Sequence, residues 1–72
     1  MHGSLRLTGS QPPIELFARV VPYEIEDANR YSWHGDLHPY LHQRGTLILD
    51  NGTEIEVAVG SAFLRELQSV NG

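Results

Sequence analysis

Thr46-Leu47-Ile48-Leu49-Asp50-Asn51-Gly52-Thr53-Glu54-Ile55-Glu56-Val57 is the stretch that decides the fold. Two β-rich runs flank Asn51-Gly52, and Asn-Gly between such runs is the strongest short-range hairpin signal. The length of the loop follows from the faces it would bring together. A two-residue loop of Asn51-Gly52 pairs Leu49 with Glu54 and Leu47 with Glu56, which mixes leucines and carboxylates on one face. A three-residue loop of Asp50-Asn51-Gly52 pairs Leu47 with Ile55 and Leu49 with Thr53, and sends Glu54 and Glu56 to the opposite face. Only the second keeps the apolar set together, because a one-residue slip turns every side chain over. It also puts Gly52 at the left-handed position that ends a type I turn plus bulge, where a side chain is costly.

Working outward towards the N-terminus, turn signals recur at Gly9-Ser10-Gln11-Pro12-Pro13, Asp27-Ala28-Asn29 and His38-Pro39, and the segments between them alternate with a period of two. The first strand has Leu5 and Leu7 on one face, Arg6 and Thr8 on the other. In the second, Ile14, Leu16, Ala18 and Val20 oppose Glu15, Phe17, Arg19 and Val21, so it reads as covered on both sides for part of its length. Pro22 lacks an amide hydrogen and should end this strand or place its end on a sheet edge. An acidic connection from Glu24 to Asn29 leads to a third strand in which Tyr31, Trp33 and Leu37 alternate with Ser32, His34, Asp36 and His38, weakened by Gly35. The run from Pro39 to Arg44 has no clear period and reads as a loop.

Towards the C-terminus the period changes. Phe63, Leu64, Leu67 and Val70 fall at helical spacing, with Arg65, Glu66, Gln68 and Ser69 filling the other face, Ser61 as N-cap and Asn71-Gly72 as the stop. The expectation is therefore one α+β domain spanning residues 1–72. It has about five mostly antiparallel strands, open or partly rolled into a barrel, and a C-terminal amphipathic helix packed on the sheet.

A chain of 72 residues buries only about 60% of the surface it exposes when unfolded, so its core is thin. Without cysteine there is no disulfide framework and no thiolate zinc site, and stability must come from apolar packing or from a partner. The net charge of −4, from five arginines, no lysine and nine carboxylates, disfavours general nucleic-acid binding, which usually shows a basic stripe. Arginine without lysine fits a GC-rich bacterial or phage genome. The apolar runs are too short for a membrane span and the N-terminus lacks the pattern of a signal peptide, so a soluble, cytoplasmic protein is expected.

His34, Asp36, His38 and His42 are all residue types that ligate transition metals. On a strand, however, His34 and His38 lie roughly 13 Å apart, too far to share one ion, and a solvated polar face is the preferred reading. No metal and no cofactor is expected. Gly9-Ser10 and Gly60-Ser61 lack the nucleophile elbow. The pairs Glu24 with Glu26 and Glu54 with Glu56 read as solvated faces that discourage edge pairing rather than as an acid/base couple, so no catalytic residue is assigned. The stretch from Thr46 to Leu67, a hairpin followed by a helix, resembles the end of LytTR-type DNA-binding domains, but the chain is shorter than that domain and lacks its basic surface. The paired-arginine RxxxR motif of PilZ-type cyclic-dinucleotide modules is missing, and Asn29, Ser32 and Gly35 miss the spacing of the second motif by one residue.

What remains is a small acidic, non-enzymatic binding or regulatory protein of the inhibitor, immunity or accessory type, acting through protein–protein contacts. The candidate partner-binding residues are Tyr31, Trp33 and Tyr40, since tyrosine and tryptophan anchor interfaces, together with Leu5 and Leu7. The Leu5-Arg6-Leu7-Thr8 strand carries neither proline nor carboxylate, and as a free edge it would pair with a second copy, giving a homodimer, or with a protein partner. The alternative is a ligand- or nucleic-acid-binding small β-barrel in which Tyr31, Trp33 and Tyr40 line a shallow site.

Overall fold

The computed structural model describes residues 1–9 and 11–67. The hairpin has the expected register: Leu47 lies opposite Ile55 and Ile48 opposite Glu54. The Leu49 N–H donates to the Thr53 carbonyl at 2.9 Å and the Gly52 N–H to the Leu49 carbonyl at 2.9 Å. Gly52 sits at φ +90°, the left-handed conformation that the three-residue loop demands. Around this hairpin the chain forms β1 (His2–Leu7), β2 (Ile14–Ile25), β3 (Ala28–Trp33), β4 (Arg44–Leu49), β5 (Glu54–Val59) and β6 (Phe63–Glu66), with a 3-10 turn at His38–Tyr40. The six strands are antiparallel and close into a barrel in the order β1-β2-β3-β6-β5-β4.

This all-β barrel corrects the α+β expectation, because β6 occupies the place of the C-terminal helix and no α-helix occurs among the described residues. The reason is strand pairing, local with β5 and long-range with β3. Without β6, both β3 and β5 would keep one unpaired edge; β6 pairs Tyr31 with Leu64 on one side and Val59 with Leu64 on the other. Satisfying two rows of backbone groups outweighs the weak helical preference of a short segment. Leu64 points inward and is fully buried, while Arg65 points outward and is exposed. Val70, the last apolar residue of the expected helix, lies outside the described residues.

Closure also corrects the edge argument. β1 is paired with β2 on one side and β4 on the other, so it offers no free edge, and Leu5 and Leu7 are both fully buried. They join Val20, Tyr31, Trp33, Leu37, Leu47, Leu49, Val57, Val59 and Leu64 in one core. Because β3 and β4 are not neighbours, the link between them crosses one end of the barrel, and Leu37 in that link is buried there rather than on a third strand, which stops at Trp33.

Pro22 does not end its strand; β2 runs on to Ile25, with Pro22 opposite Tyr31. The Val20 N–H, two residues earlier and on the same side, donates to the Met1 carbonyl at 2.8 Å, beyond the first pair of β1 with β2. Two residues further on, the β1 side has no strand to receive an N–H, so proline loses nothing there. The sequence allowed this second option, a proline on an edge.

Candidate functional site

On β2 the alternation of side chains separates two apolar sets. Ile14, Leu16 and Ala18 pack against the core and Val20 is inside it, whereas Phe17, Arg19 and Val21 face outward with Tyr23 and Ile25 following on the same side. Phe17 is 75% exposed, Val21 50% and Ile25 45%; of the four exposed large apolar residues among the described residues, three therefore stand on one face of one strand, Met1 being the other. The strand covered on both sides in the sequence reading is covered by this chain on one side only.

The stripe from Phe17 to Ile25 is roughly 27 Å long at the rise of an extended strand. Small residues stand opposite its three exposed apolar groups, Ser4 opposite Phe17, Ser32 opposite Val21 and Ala28 opposite Ile25, while His2 lies opposite Arg19 and Arg30 opposite Tyr23. Beside its Phe17 end lies an apolar groove of about 390 Å³, lined by His2, Ser4, Phe17, Ala18, Ile48 and Leu49. Arg19, between Phe17 and Val21, supplies the one charge on the stripe itself.

At the other end β2 turns into β3 through a two-residue loop, since Ile25 pairs with Ala28. Its central residues are Glu26 at φ 52° and Asp27 at φ 62°, both left-handed and neither glycine. With Glu24 they form an exposed acidic tip. The backbone edge of β2 beyond Arg19 has no partner in β1, but Pro22 and Glu24 occupy it, and both discourage strand addition. What β2 offers is its outward face.

A second feature lies across the sheet. Arg44 is opposite Ala58, Ala58 opposite Arg65, Arg65 opposite Arg30 and Arg30 opposite Tyr23, one residue from each of β4, β5, β6, β3 and β2. Three of the five cations of an acidic chain thus stand in one row.

The residues singled out by sequence are distributed differently. Tyr31 and Trp33 are 8% and 6% exposed and belong to the core, so their rings are closed to a partner or a base. The Tyr31 hydroxyl donates to Glu66 Oε1 at 3.0 Å, and Glu66 Oε2 accepts from the Asn29 side-chain amide at 3.2 Å. Burial, reinforced by this carboxylate, pushes the Tyr31 phenol up to about 12. Tyr40 packs half-buried against the core from the 3-10 turn. His34, Asp36, His38 and His42 are all exposed; Asp36 Oδ1 accepts the His38 N–H at 3.0 Å, a local turn contact. Among the described residues no three histidines or carboxylates come together to hold a metal, and no helix is long and apolar enough to cross a membrane.

Phe17, Val21 and Ile25 were missed as site residues. The signal was present in the second strand, where apolar residues occur on both faces in a chain too small to cover both. Compared with known proteins, the chain matches no protein family, no curated protein and no solved structure.

Proposed function

We propose that this protein is a non-enzymatic binding module that docks on another protein through the outward face of β2. One observation carries the reading: Phe17, Val21 and Ile25, half or more exposed or nearly so, are aligned on a single strand face. Contiguous exposed apolar surface is expensive in a monomer and marks contact sites. Aromatic and aliphatic groups beside an arginine match the composition of interface centres, where a few such residues carry most of the energy. The partner suited to this stripe presents an apolar strip with a carboxylate placed to meet Arg19. The reading of Tyr31, Trp33 and Tyr40 as a base-stacking platform has no support in rings that are buried or turned to the core.

Site-specific photo-crosslinking in the native host tests this. A photoreactive residue at position 17 or 21 is expected to trap a defined protein species that the same group at position 54, on the outward face of β5, does not trap. Equal labelling at 17 and 54, or products that contain only a second copy of the chain, would overturn the reading of docking on another protein.

A further inference from the structure

We propose that Arg44 and Arg65, standing on either side of Ala58, form a binding site for a phosphate monoester dianion that stands independently of the β2 stripe, with Arg30 next to Arg65 in the same row. Arg44 and Arg65 flank Ala58 at consecutive register positions. Their backbones are therefore two strand spacings apart, about 10 Å, with only a methyl group between them. Both arginines and the alanine between them line one space. The space there is a groove of about 380 Å³ whose lining includes His42, Arg44, Ala58, Gly60, Phe63 and Arg65.

The third arginine is held in place by a different contact. Arg30 lies over the Phe63 ring with its guanidinium carbon 4.8 Å from the ring centre, a cation–π geometry. The tip of the same ring lies against Gly60, where a Cβ would overlap it. Arg30 Nε is buried and has no hydrogen-bond partner, and none of the side-chain hydrogen bonds among the described residues uses Arg44 or Arg65. The Arg30 nitrogen is closed to the groove, whose lining does not include Arg30. Arg44 and Arg65 face one another across Ala58, and an oxyanion seated between them relieves their repulsion.

The ligand class follows from charge and space. Planar guanidinium forks match the oxygens of a phosphate better than any other cation does, two at a time. The extent of the site limits the ligand to a compact one, because Glu56 and Glu54 occupy the next outward positions on β5 after Ala58. An extended polyanion laid along β5 would meet those carboxylates. A single terminal phosphate seated over Ala58 does not, and the groove wall at Phe63 accepts a flat apolar portion attached to it.

The test is a titration of the 72-residue chain followed by amide correlation spectra, with inorganic phosphate, adenosine 5′-monophosphate and O-phosphotyrosine as probes and chloride balancing ionic strength. Saturable shifts are expected at residues 44, 58 and 65. Arg65→Gln and, as a second variant at an exposed strand end, Arg44→Gln should each weaken binding about tenfold or more, the loss of a charge-assisted hydrogen bond; Arg6→Gln, on β1, should not. Tightest binding of the nucleotide, with added shifts at Phe63, would assign the phosphate to a nucleotide source; tightest binding of phosphotyrosine would assign it to a modified protein. Absence of saturable shifts with all three probes would overturn the site. So would equal weakening by Arg6→Gln, or tighter binding of an oligothymidylate that lacks a terminal phosphate.

Discussion

The β4–β5 and β2–β3 hairpins solve the same chain reversal with opposite chemistry. In β4–β5, the left-handed position is occupied by Gly52 at φ +90°, and the inward residues Leu47, Leu49, Val57 and Val59 are all buried. In β2–β3, two non-glycine residues, Glu26 and Asp27, take left-handed conformations, a proline sits inside a strand, and apolar side chains face solvent. Every local rule agrees in the first hairpin, and several are broken in the second. Departures of this kind concentrate where a protein does something other than fold. The β4–β5 hairpin holds part of the barrel core; the outward β2–β3 arm is the surface proposed above for docking.

The widest separation between the two should appear on truncation. Leu47→Ala removes a fully buried side chain and is expected to cost about 2 to 5 kcal/mol. Against a total stability near 5 kcal/mol for so small a domain, the variant should have little or no folded baseline in urea denaturation. Val21→Ala, half exposed on the arm, should shift the same transition by less than about 0.5 kcal/mol. A Val21→Ala loss comparable with that of Leu47→Ala would mean that the arm belongs to the core.

The two turns should respond with opposite signs. Gly52→Val places a β-branched residue at φ +90° and is expected to destabilise by about 1 to 2 kcal/mol. Asp27→Gly relieves a left-handed aspartate at φ 62° and should raise stability by up to about 1 kcal/mol, less what glycine loses in unfolded-chain freedom. Equal signs for the two variants, read from denaturation midpoints, would show that the acidic tip is not held at a conformational cost.

How much of this was legible follows from the range over which each feature is determined. The three-residue loop of Asp50-Asn51-Gly52 and its register were readable because neighbours in sequence fix them. The strand at Phe63–Glu66 was not, since its four residues fit either period: the tight reversal from Val59 is compatible with a helix start as well as a hairpin, and the other partner, Tyr31, is distant in sequence. The arginine row was hidden for the same reason: Arg30, Arg44 and Arg65 are scattered along the chain and meet only through closure. Tyr31 and Trp33 were read as partner contacts from residue type alone, and the barrel buries both in its core. Phe17 was readable as apolar but not as exposed, because a pattern reveals which face a residue shares and not what covers that face.

A smaller effect joins the arm to the barrel end. Tyr31→Phe removes the hydroxyl that donates to Glu66 at 3.0 Å and is expected to cost about 1 kcal/mol. The wild type should also carry an alkaline signature that the variant lacks. The folded phenol releases its proton at about 12 rather than 10, so above pH 10 the unfolded chain has lost a proton that the folded chain still holds. Unfolding is thereby favoured. This contribution to stability is complete below pH 10 and is lost as the pH rises towards 12. Midpoints measured on either side of pH 10 should converge for wild type and variant as the pH rises. Parallel curves would mean that Tyr31 does not hold its proton more tightly in the fold.

The smallest effect on stability is also the most informative about the docking face. Phe17 and Leu16 are adjacent on β2 and differ in which way they point: Phe17 is 75% exposed, while Leu16 packs against the core. Threonine is β-branched and favours a strand, so substituting it at either position tests burial with little loss of strand propensity. Leu16→Thr buries a hydroxyl and vacates packed space, at an expected cost of about 1 to 3 kcal/mol. Phe17→Thr removes a ring that this chain leaves in water, and should change stability by no more than about 0.5 kcal/mol while abolishing crosslinking from a photoreactive group at position 21. If Phe17→Thr cost as much as Leu16→Thr, the ring would be held by the barrel itself, and the outward face of β2 would lose its standing as a docking surface.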